Sequence, residues 1–445
     1  MNAVIIAGTQ SGVGKTTVTT AIMGGLKKKG FSIAPFKVGP DYIDTKFHSF
    51  ITKEKSYNLD SWMMDSSSVK KIFSYHSNEK DIAVIEGVMG LFDGLGSTTE
   101  GSTAEIAKIL NLPVVLVINA RGIGASIAAM VKGYIDFDED VNLGGVIFNN
   151  VSGERHYEIL KEAVETNLQV KALGFLPRND SLHLPSKHLG LVPVEELTSL
   201  EKQIDLFSDF AMNHIDLDGI VKLSEKNNLT KSDFIDNLYE VESNDKLRIA
   251  VAQDEAFHFY YEDNLEMLRK NNFNLISFSP IHDEALPENI DAVYIGGGYP
   301  ESFAKDLSDN KSMLSSIKEA AVNNIPVYGE CGGFMYLTRE IIVSDDTYPM
   351  VGIFNCSSRM TERLQRFGYV EIQYDDISMK GHEFHHAKLE NIEDDNDFNY
   401  RVTKASTGIQ WQCGLKKNNV LGAFPHIHFI SNKAFFKKLL NHFKG

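Results

Sequence analysis

A glycine-rich stretch, Gly8-Thr9-Gln10-Ser11-Gly12-Val13-Gly14-Lys15-Thr16, lies between the apolar run Val4-Ile5-Ile6-Ala7 and a helix-like segment from Thr17 to Lys29. Strand, glycine-rich turn, Lys-Thr and helix, in that order, form the setting of a phosphate-binding loop. The glycines let consecutive backbone N–H groups turn inward around phosphate oxygens, and the helix N-terminus adds partial positive charge. Lys15 would reach the outer phosphates and Thr16 would offer a hydroxyl to Mg²⁺. Gly12, Gly14, Lys15, Thr16 and Thr17 are therefore expected to hold a nucleotide. One detail departs from the common pattern. A G-x4-G-K-T loop counted back from Lys15 needs glycine at position 9, where this chain has Thr9 preceded by Gly8.

The rest of the first half alternates in the same way. Ile33 to Lys37, Asp81 to Gly87, Val114 to Ile118, Gly145 to Phe148 and Ala172 to Leu176 read as apolar strands separated by helical patterns. Continuous apolar strands imply a parallel sheet covered on both faces by helices, and ligands on such sheets collect beyond the carboxyl ends of the strands. Two acidic clusters fall there, Val38-Gly39-Pro40-Asp41-Tyr42-Ile43-Asp44 and the Glu86-Gly87 end of the third strand.

With 445 residues, the chain has room for two or three domains. From about Asp216 to Lys246 the texture turns short, polar and acidic, which reads as an exposed linker. The expected boundaries are 1–215, a linker 216–246, and 247–445. Alternation resumes with Arg248 to Ala252, Asn274 to Phe278 and Ala292 to Ile295. Pro326 to Glu330 then leads into Cys331-Gly332-Gly333 and a helical Phe334 to Arg339. A second α/β domain is the simplest reading.

Cys331 stands out in that half. A nucleophile on a tight strand-to-helix turn flanked by glycines has an exposed side chain near a helix N-terminus. Gly296 to Gly298 end a preceding strand, and Gly297 and Gly298 are candidates to donate N–H groups to a tetrahedral oxyanion. His426 is a candidate base. Cys356 and Cys413 read as buried structural cysteines. Three widely spaced cysteines argue against a disulfide framework and for a reducing cytoplasm. No apolar run approaches the length of a membrane span, and the N-terminus lacks signal-peptide features. Sixty acidic against forty-four basic residues give a formal charge of −16, which argues against nucleic acid as a partner.

These residues carry a resemblance. The chain resembles, end to end, the a,c-diamide synthases of tetrapyrrole biosynthesis, which act on cobyrinate or nickel-sirohydrochlorin. The shared stretches include Gly8 to Thr16, Lys37 to Asp44, Asn58-Leu59-Asp60, Glu86 to Gly94 and His188-Leu189-Gly190-Leu191. Further along they include Gly296 to Glu301, Tyr328 to Gly333, Gly381-His382-Glu383-Phe384-His385 and His426-Ile427-His428. Details such as Phe257 to Asn264 look most like the versions found in methanogenic archaea.

The resemblance implies a P-loop-type synthetase domain similar to dethiobiotin synthetase, followed by a flavodoxin-like class I glutamine amidotransferase domain. Cys331, helped by His426, would release ammonia from glutamine through a thioester. A peripheral carboxylate of the macrocycle would attack the γ-phosphorus of MgATP, and ammonia would convert the acyl phosphate to an amide. Thr16, Asp44 and Glu86 are expected at Mg²⁺, and Asp41, Tyr42 and Asp93 at the substrate; which acid serves which is left open, with Asp41 an alternative to Asp44 for the metal. The partners implied are glutamine and a carboxylate-rich tetrapyrrole, with a homodimer left open.

Class I amidotransferases usually place a Glu two residues after the His, where this chain has His428. The resemblance therefore implies a Cys331–His426 dyad, with His428 either orienting His426 or idle. His382, His385 and His386 are dense, yet their spacing suits no closed zinc set, and His382 and His385 fall on opposite faces of an extended segment. Three rival readings are a cobyric acid synthase, with the same architecture acting on other carboxylates, a partitioning-type regulatory ATPase, and an amidotransferase half that is only a scaffold while free ammonia is used. The second normally carries a lysine near the start of its loop, where this chain has Thr9-Gln10-Ser11, and would have no need of Cys331.

Overall fold

The computed structural model describes residues 2–178, 194–225, 238–239, 246–393 and 397–444. The motif His188 to Leu191 lies outside them. The chain divides into two compact units, Met1–Leu238 and Tyr239–Gly445.

In the first unit the elements run β1 (Ala3–Gly8), α1 (Lys15–Lys28), β2 (Ile33–Val38), α2 (Ile43–Thr52), β3 (Tyr57–Leu59), α3 (Ser66–Ser77), β4 (Ile82–Glu86) and α4 (Thr103–Leu110). They continue with β5 (Val114–Asn119), α5 (Ser126–Phe137), β6 (Leu143–Val151), α6 (Glu154–Asn167), β7 (Lys171–Pro177), α7 (Val194–His214) and α8 (Leu217–Ser224). The seven strands form one sheet in the order β3-β2-β4-β1-β5-β6-β7, and every pairing is parallel. Strands β1, β2 and β4 are buried along their whole length, as their unbroken apolar runs require. The chain winds to one side from β1 to β3 and to the other from β4 onward. The loops after β1, β2 and β4 therefore meet near a topological switch point. One core cluster gathers Val4, Ile6, Ile22 and Leu26 with Phe207 and Ala211 of α7.

The linker expected at 216–246 is not exposed at its start. Asp216 caps α8 by accepting from Gly219 N at 2.8 Å. Leu217, Ile220 and Leu223, spaced by three, pack into the first core. Residues 226–237 and 240–245 of that stretch lie outside the described ones. Tyr239 packs within the second unit, its hydroxyl donating to Asp263 Oδ1 at 2.5 Å.

The second unit begins with β8 (Arg248–Ala252), β9 (Phe257–Phe259), α9 (Glu262–Lys270), β10 (Asn274–Phe278), β11 (Ala292–Ile295), β12 (Gly297–Gly298), α10 (Ala304–Asp309) and α11 (Lys311–Val322). Then come β13 (Val327–Glu330), α12 (Gly332–Leu337), β14 (Thr338–Val343), β15 (Asp346–Pro349), β16 (Phe354–Met360), β17 (Arg366–Tyr374) and β18 (Ile377–His385). The last elements are β19 (Ala387–Glu390), β20 (Asp397–Lys404), β21 (Gln410–Lys417), β22 (Val420–Ala423) and α13 (Lys433–Phe443). A nine-stranded sheet runs β10-β8-β11-β13-β22-β21-β20-β17-β18. Its first five strands are parallel and the remainder pair antiparallel. The expected α/β unit is thus present, with a long antiparallel extension. The helix expected from Phe334 to Arg339 stops at Leu337, because the β-branched run Thr338, Ile341, Ile342, Val343 enters β14. Strand β18 bends back onto the parallel part, where His382 pairs main chain to main chain with His426.

Among the described residues no helix is long and apolar enough to cross a membrane.

Candidate functional site

The loop from Gly8 to Lys15 is held open by its glycines. Gly12 and Gly14 adopt φ of 74° and 96°, conformations that L side chains avoid. A Cβ at Gly14 would also lie 2.1 Å from Asn149 Nδ2, and that amide donates to Val13 O at 2.9 Å. Lys15 opens α1, and its ammonium bonds the Met89 carbonyl on the loop after β4. Burial, then the nearby Lys37, holds the Lys15 ammonium down at about 8, against the pull of Glu86, Asp44 and Asp93. Thr17 follows on the same helix turn.

Beneath the loop lies a buried cluster of charge. Thr16 Oγ1 donates to Glu86 Oε1 at 2.7 Å. Lys37 Nζ donates to the same Glu86 oxygen at 3.0 Å and to the Gly87 carbonyl at 3.2 Å, and it also bonds Asp44. His48 Nε2 lies 2.7 Å from Glu86 Oε2, both side chains fully buried. Burial pushes Glu86 up, but Lys37 and His48 more than offset it and hold the carboxyl well below the usual range. For Lys37, burial lowers and Asp44 and Glu86 overcome it, so its ammonium is held above the ordinary lysine value. Burial, then the Glu86 charge, raises Asp44 to about 8. Thr16, Asp44 and Glu86, the three groups expected at Mg²⁺, thus share one cluster. Two carboxylates and a hydroxyl are donor types that a divalent cation takes beside phosphate and water, though Lys37 bonds both carboxylates. No group of three or more His, Cys, Asp or Glu suited to a metal occurs among the described residues.

The expected substrate residues flank this cluster. Asp41 Oδ1 accepts from Ile43 N at 2.8 Å and Asp44 N at 2.9 Å, so it also caps α2. Tyr42 is buried beside it. Asp93 is exposed and accepts from Gly90 N at 2.9 Å. Lys37 and His48 were not singled out from sequence. The signal was available for Lys37: a lysine inside an otherwise apolar buried strand needs an acid partner.

In the second unit Cys331 caps α12 with φ 51° and ψ −105°. A non-glycine residue there stores about 1–3 kcal/mol of strain, a mark of functional sites. The turn is fixed by Cys331 N donating to Ala423 O at 2.8 Å and Gly333 N to Gly296 O at 2.9 Å. His426 is 3% exposed, and its Nδ1 lies 2.8 Å from Glu330 Oε1, which leaves Nε2 for the sulfur. Tyr328 donates its hydroxyl to the other Glu330 oxygen at 3.1 Å. Burial lowers His426, but Cys331 and then Glu330 outweigh it and hold the imidazole at about 10. A Cβ at Gly297 would lie 2.6 Å from His426 Cε1, so only glycine fits against that ring. The Gly298 N atom lies 3.1 Å from where a Gly332 side chain would begin, which puts that amide beside the nucleophile's turn.

The geometry therefore supplies a third member absent from the expected dyad. Glu330, the residue before the nucleophile, makes the contact to the histidine ring that a triad acid makes. His428 does not orient His426. Its Nε2 faces Asp263 at 3.4 Å, both groups fully buried. Cys356 and Cys413 are buried free thiols, and burial pushes Cys413 well up. Strand β18 places His382 and His385 on opposite faces, and His386 follows its end.

A phosphate loop over a lysine–carboxylate cluster in one unit and the Glu330–His426 contact beside Cys331 in the other agree with a glutamine-dependent amide ligase, the class that the family matches define. Residues 4–192 match the CobQ/CobB/MinD/ParA nucleotide binding domain, and residues 248–434 match the CobB/CobQ-like glutamine amidotransferase domain. The chain belongs to the cobyrinate a,c-diamide synthase family. Relatives with that name are 44% identical in Caldanaerobacter subterraneus subsp. tengcongensis, over 98% of this chain and 97% of the relative. They are 45% identical in Listeria innocua, over 99% of both chains, and 42% identical in Methanocaldococcus jannaschii, again over 99% of both.

Proposed function

We propose that the protein amidates the a and c acetate carboxylates of a modified tetrapyrrole, using glutamine as nitrogen donor and ATP to activate each carboxylate. The observation that carries this reading is the Cys331–His426–Glu330 arrangement in a chain whose other unit presents a lysine-bearing phosphate loop. The names of the full-length relatives support cobyrinate as the acceptor.

In the second unit Cys331 Sγ attacks the glutamine side-chain carbonyl. A protonated imidazole beside sulfur favours the attacking thiolate. The N–H groups of Gly297 and Gly298 stabilise the oxyanion, and His426 gives its proton to the departing nitrogen. The C–N bond breaks, a thioester forms, and water later hydrolyses it to glutamate. In the first unit a carboxylate oxygen attacks the γ-phosphorus and ADP leaves. Ammonia then attacks the acyl phosphate carbon and phosphate departs. Positioning and charge neutralisation supply most of this phosphoryl transfer. Gly12, Gly14, Lys15 and Thr17 hold the phosphates, while Asp41, Tyr42 and Asp93 orient the acceptor. Mg²⁺, held by Thr16, Glu86 and Asp44, would neutralise phosphate charge.

Two expected results follow from this assignment. Offered cobyrinate, glutamine and MgATP, the purified protein should yield a diamide, with each carboxyl-to-amide conversion counted by mass. The same assay with nickel-sirohydrochlorin tests the second macrocycle. No amide gained on either, with glutamine or ammonium salt, overturns the reading.

Glu330→Gln should lower glutamine-driven kcat by about 10²-fold or more, since the acid that orients a catalytic histidine also stabilises its protonated ring. The pH profile separates orientation from folding. His426 must keep its proton to serve as acid, so activity falls as pH rises through about 10. Glu330 helps raise that value, so its removal should shift the alkaline limb to lower pH. An unmoved limb would take Glu330 out of the site.

A further inference from the structure

The stretch Gly381-His382-Glu383-Phe384-His385 ends β18 and has no part in the chemistry above. Glu383 is 1% exposed, and neither of its carboxylate oxygens has a hydrogen-bond partner. Beside it, His385 Nδ1 lies 2.8 Å from the Ala387 carbonyl. A carbonyl only accepts, so Nδ1 carries a hydrogen, and Nε2 is the ring atom left to face Glu383. That Nε2 is also without a partner, and it lies 3.8 Å from Glu383 Oε2, beyond hydrogen-bond reach. Both carboxylate oxygens and this ring nitrogen therefore lie buried together, without a hydrogen-bond partner among the described residues. Buried polar groups are nearly always satisfied, and an exception of this kind needs a reason.

The pair is built against the nucleophile's surroundings. His382, one residue before Glu383, exchanges backbone hydrogen bonds of 3.1 and 2.8 Å with His426. On the Glu383 face of the strand, a Cβ at Gly381 would lie 2.7 Å from the His426 carbonyl. The His385 ring stacks on Phe424 at 4.0 Å between centroids and 10° between planes. Phe424 packs edge-on against Phe334, which lies on the helix that Cys331 caps. The Cys413 thiol, raised first by burial, feels both Glu383 and Cys331.

The chemical complement of these acceptors is a primary ammonium, with one positive charge, three N–H donors and no acceptor. We propose that Glu383 and His385 Nε2 form a receptor for an ammonium group beside Cys331, a reading that rests on glutamine being the substrate of that cysteine. Two sources carry this chemistry, the α-ammonium of glutamine and, once it takes up a proton, the ammonia set free from its amide. With the first source, Glu383 distinguishes glutamine from amides that lack an α-amino group. A site built to bond a substrate N–H rejects the analogue without it strongly.

The test compares wild type with Glu383→Gln on glutamine and on 4-carbamoylbutanoate, which is glutamine without its α-amino group. Amide hydrolysis and macrocycle amidation are both followed. If the α-ammonium binds here, wild type should favour glutamine by about 10³-fold in kcat/KM, and the variant should lose at least about tenfold of that preference, through KM. If released ammonia binds here, the preference stays and the number of amides hydrolysed per macrocycle amide formed rises several-fold. A folded variant with wild-type preference and wild-type coupling overturns the proposal. Should Glu383→Gln fail to fold, Glu383→Asp keeps the charge and retracts it, and the same two readouts decide. Wild type that amidates the macrocycle with ammonium chloride but hydrolyses neither amide would sink the glutamine reading, and this proposal with it. Wild type that hydrolyses glutamine but amidates no macrocycle would sink only the acceptor assignment.

Discussion

Replacing Cys331 with alanine is expected to lower glutamine-driven amidation by about 10⁵-fold or more, to background, while amidation driven by ammonium chloride continues near the wild-type rate. The first half of that expectation follows from the site. Cys331 is the thiol that meets His426, and its sulfur, against the effect of burial, is the main influence that holds the ring at about 10. The second half follows from the backbone. Alanine and cysteine make the same steric demand at φ 51°, because both carry a Cβ, so the substitution neither relieves nor adds strain in the turn. The hydrogen bonds that fix the turn, from Cys331 N to Ala423 O and from Gly333 N to Gly296 O, involve no side chain. The measurement is diamide formation from each nitrogen source at saturating MgATP. Unchanged glutamine use would remove Cys331 from the mechanism, and loss of both nitrogen sources would assign the residue to folding.

What the sequence showed and what it hid divide along a physical line. The phosphate loop was legible because its strand, glycines, Lys15 and helix are contiguous and their spacing is itself the geometry. The Cys331 turn was legible for the same reason. The Glu330–His426 contact was not, since it joins residues 96 apart and depends on which end of a buried strand meets which loop. The usual position of the third triad member pointed instead to His428, which the fold turns toward Asp263. Glu86 was expected at the site, but its contacts with Lys37 and His48 were hidden in the same way, as three elements must be folded before the side chains meet. The antiparallel extension is a different case. Val370-Glu371-Ile372-Gln373-Tyr374 alternates buried and exposed residues with a period of two, a pattern readable from sequence. Three of its pairings are hairpins between strands adjacent in sequence, but β17 also meets β20, with Tyr374 opposite Tyr400, so the strands announce themselves while that join does not.

Lys15→Met is expected to lower amidation by about 10³-fold from glutamine and ammonia alike, the scale of losing a charged donor at a transferring group. Methionine fills the space of the lysine stem without its charge, so the loss reads as electrostatics and not as a cavity. Stability supplies an independent check. In the free protein burial and Lys37 hold the Lys15 ammonium at about 8, below its ordinary 10.5. A lysine whose folded value is depressed costs stability while it is charged, fully below about 8, and that cost disappears as pH rises through 10.5. At pH 7, removing the charge should therefore leave Tm without nucleotide at or above the wild-type value. With ATP the order should reverse. The phosphates bring the negative charge that the free site lacks, and a ligand that binds only the folded state raises Tm in proportion to its affinity. The ATP-dependent rise in Tm should shrink in the variant, because the lysine that answered that charge is gone. Wild-type diamide formation by Lys15→Met protein, or an undiminished ATP-dependent rise, would place ATP somewhere other than this loop.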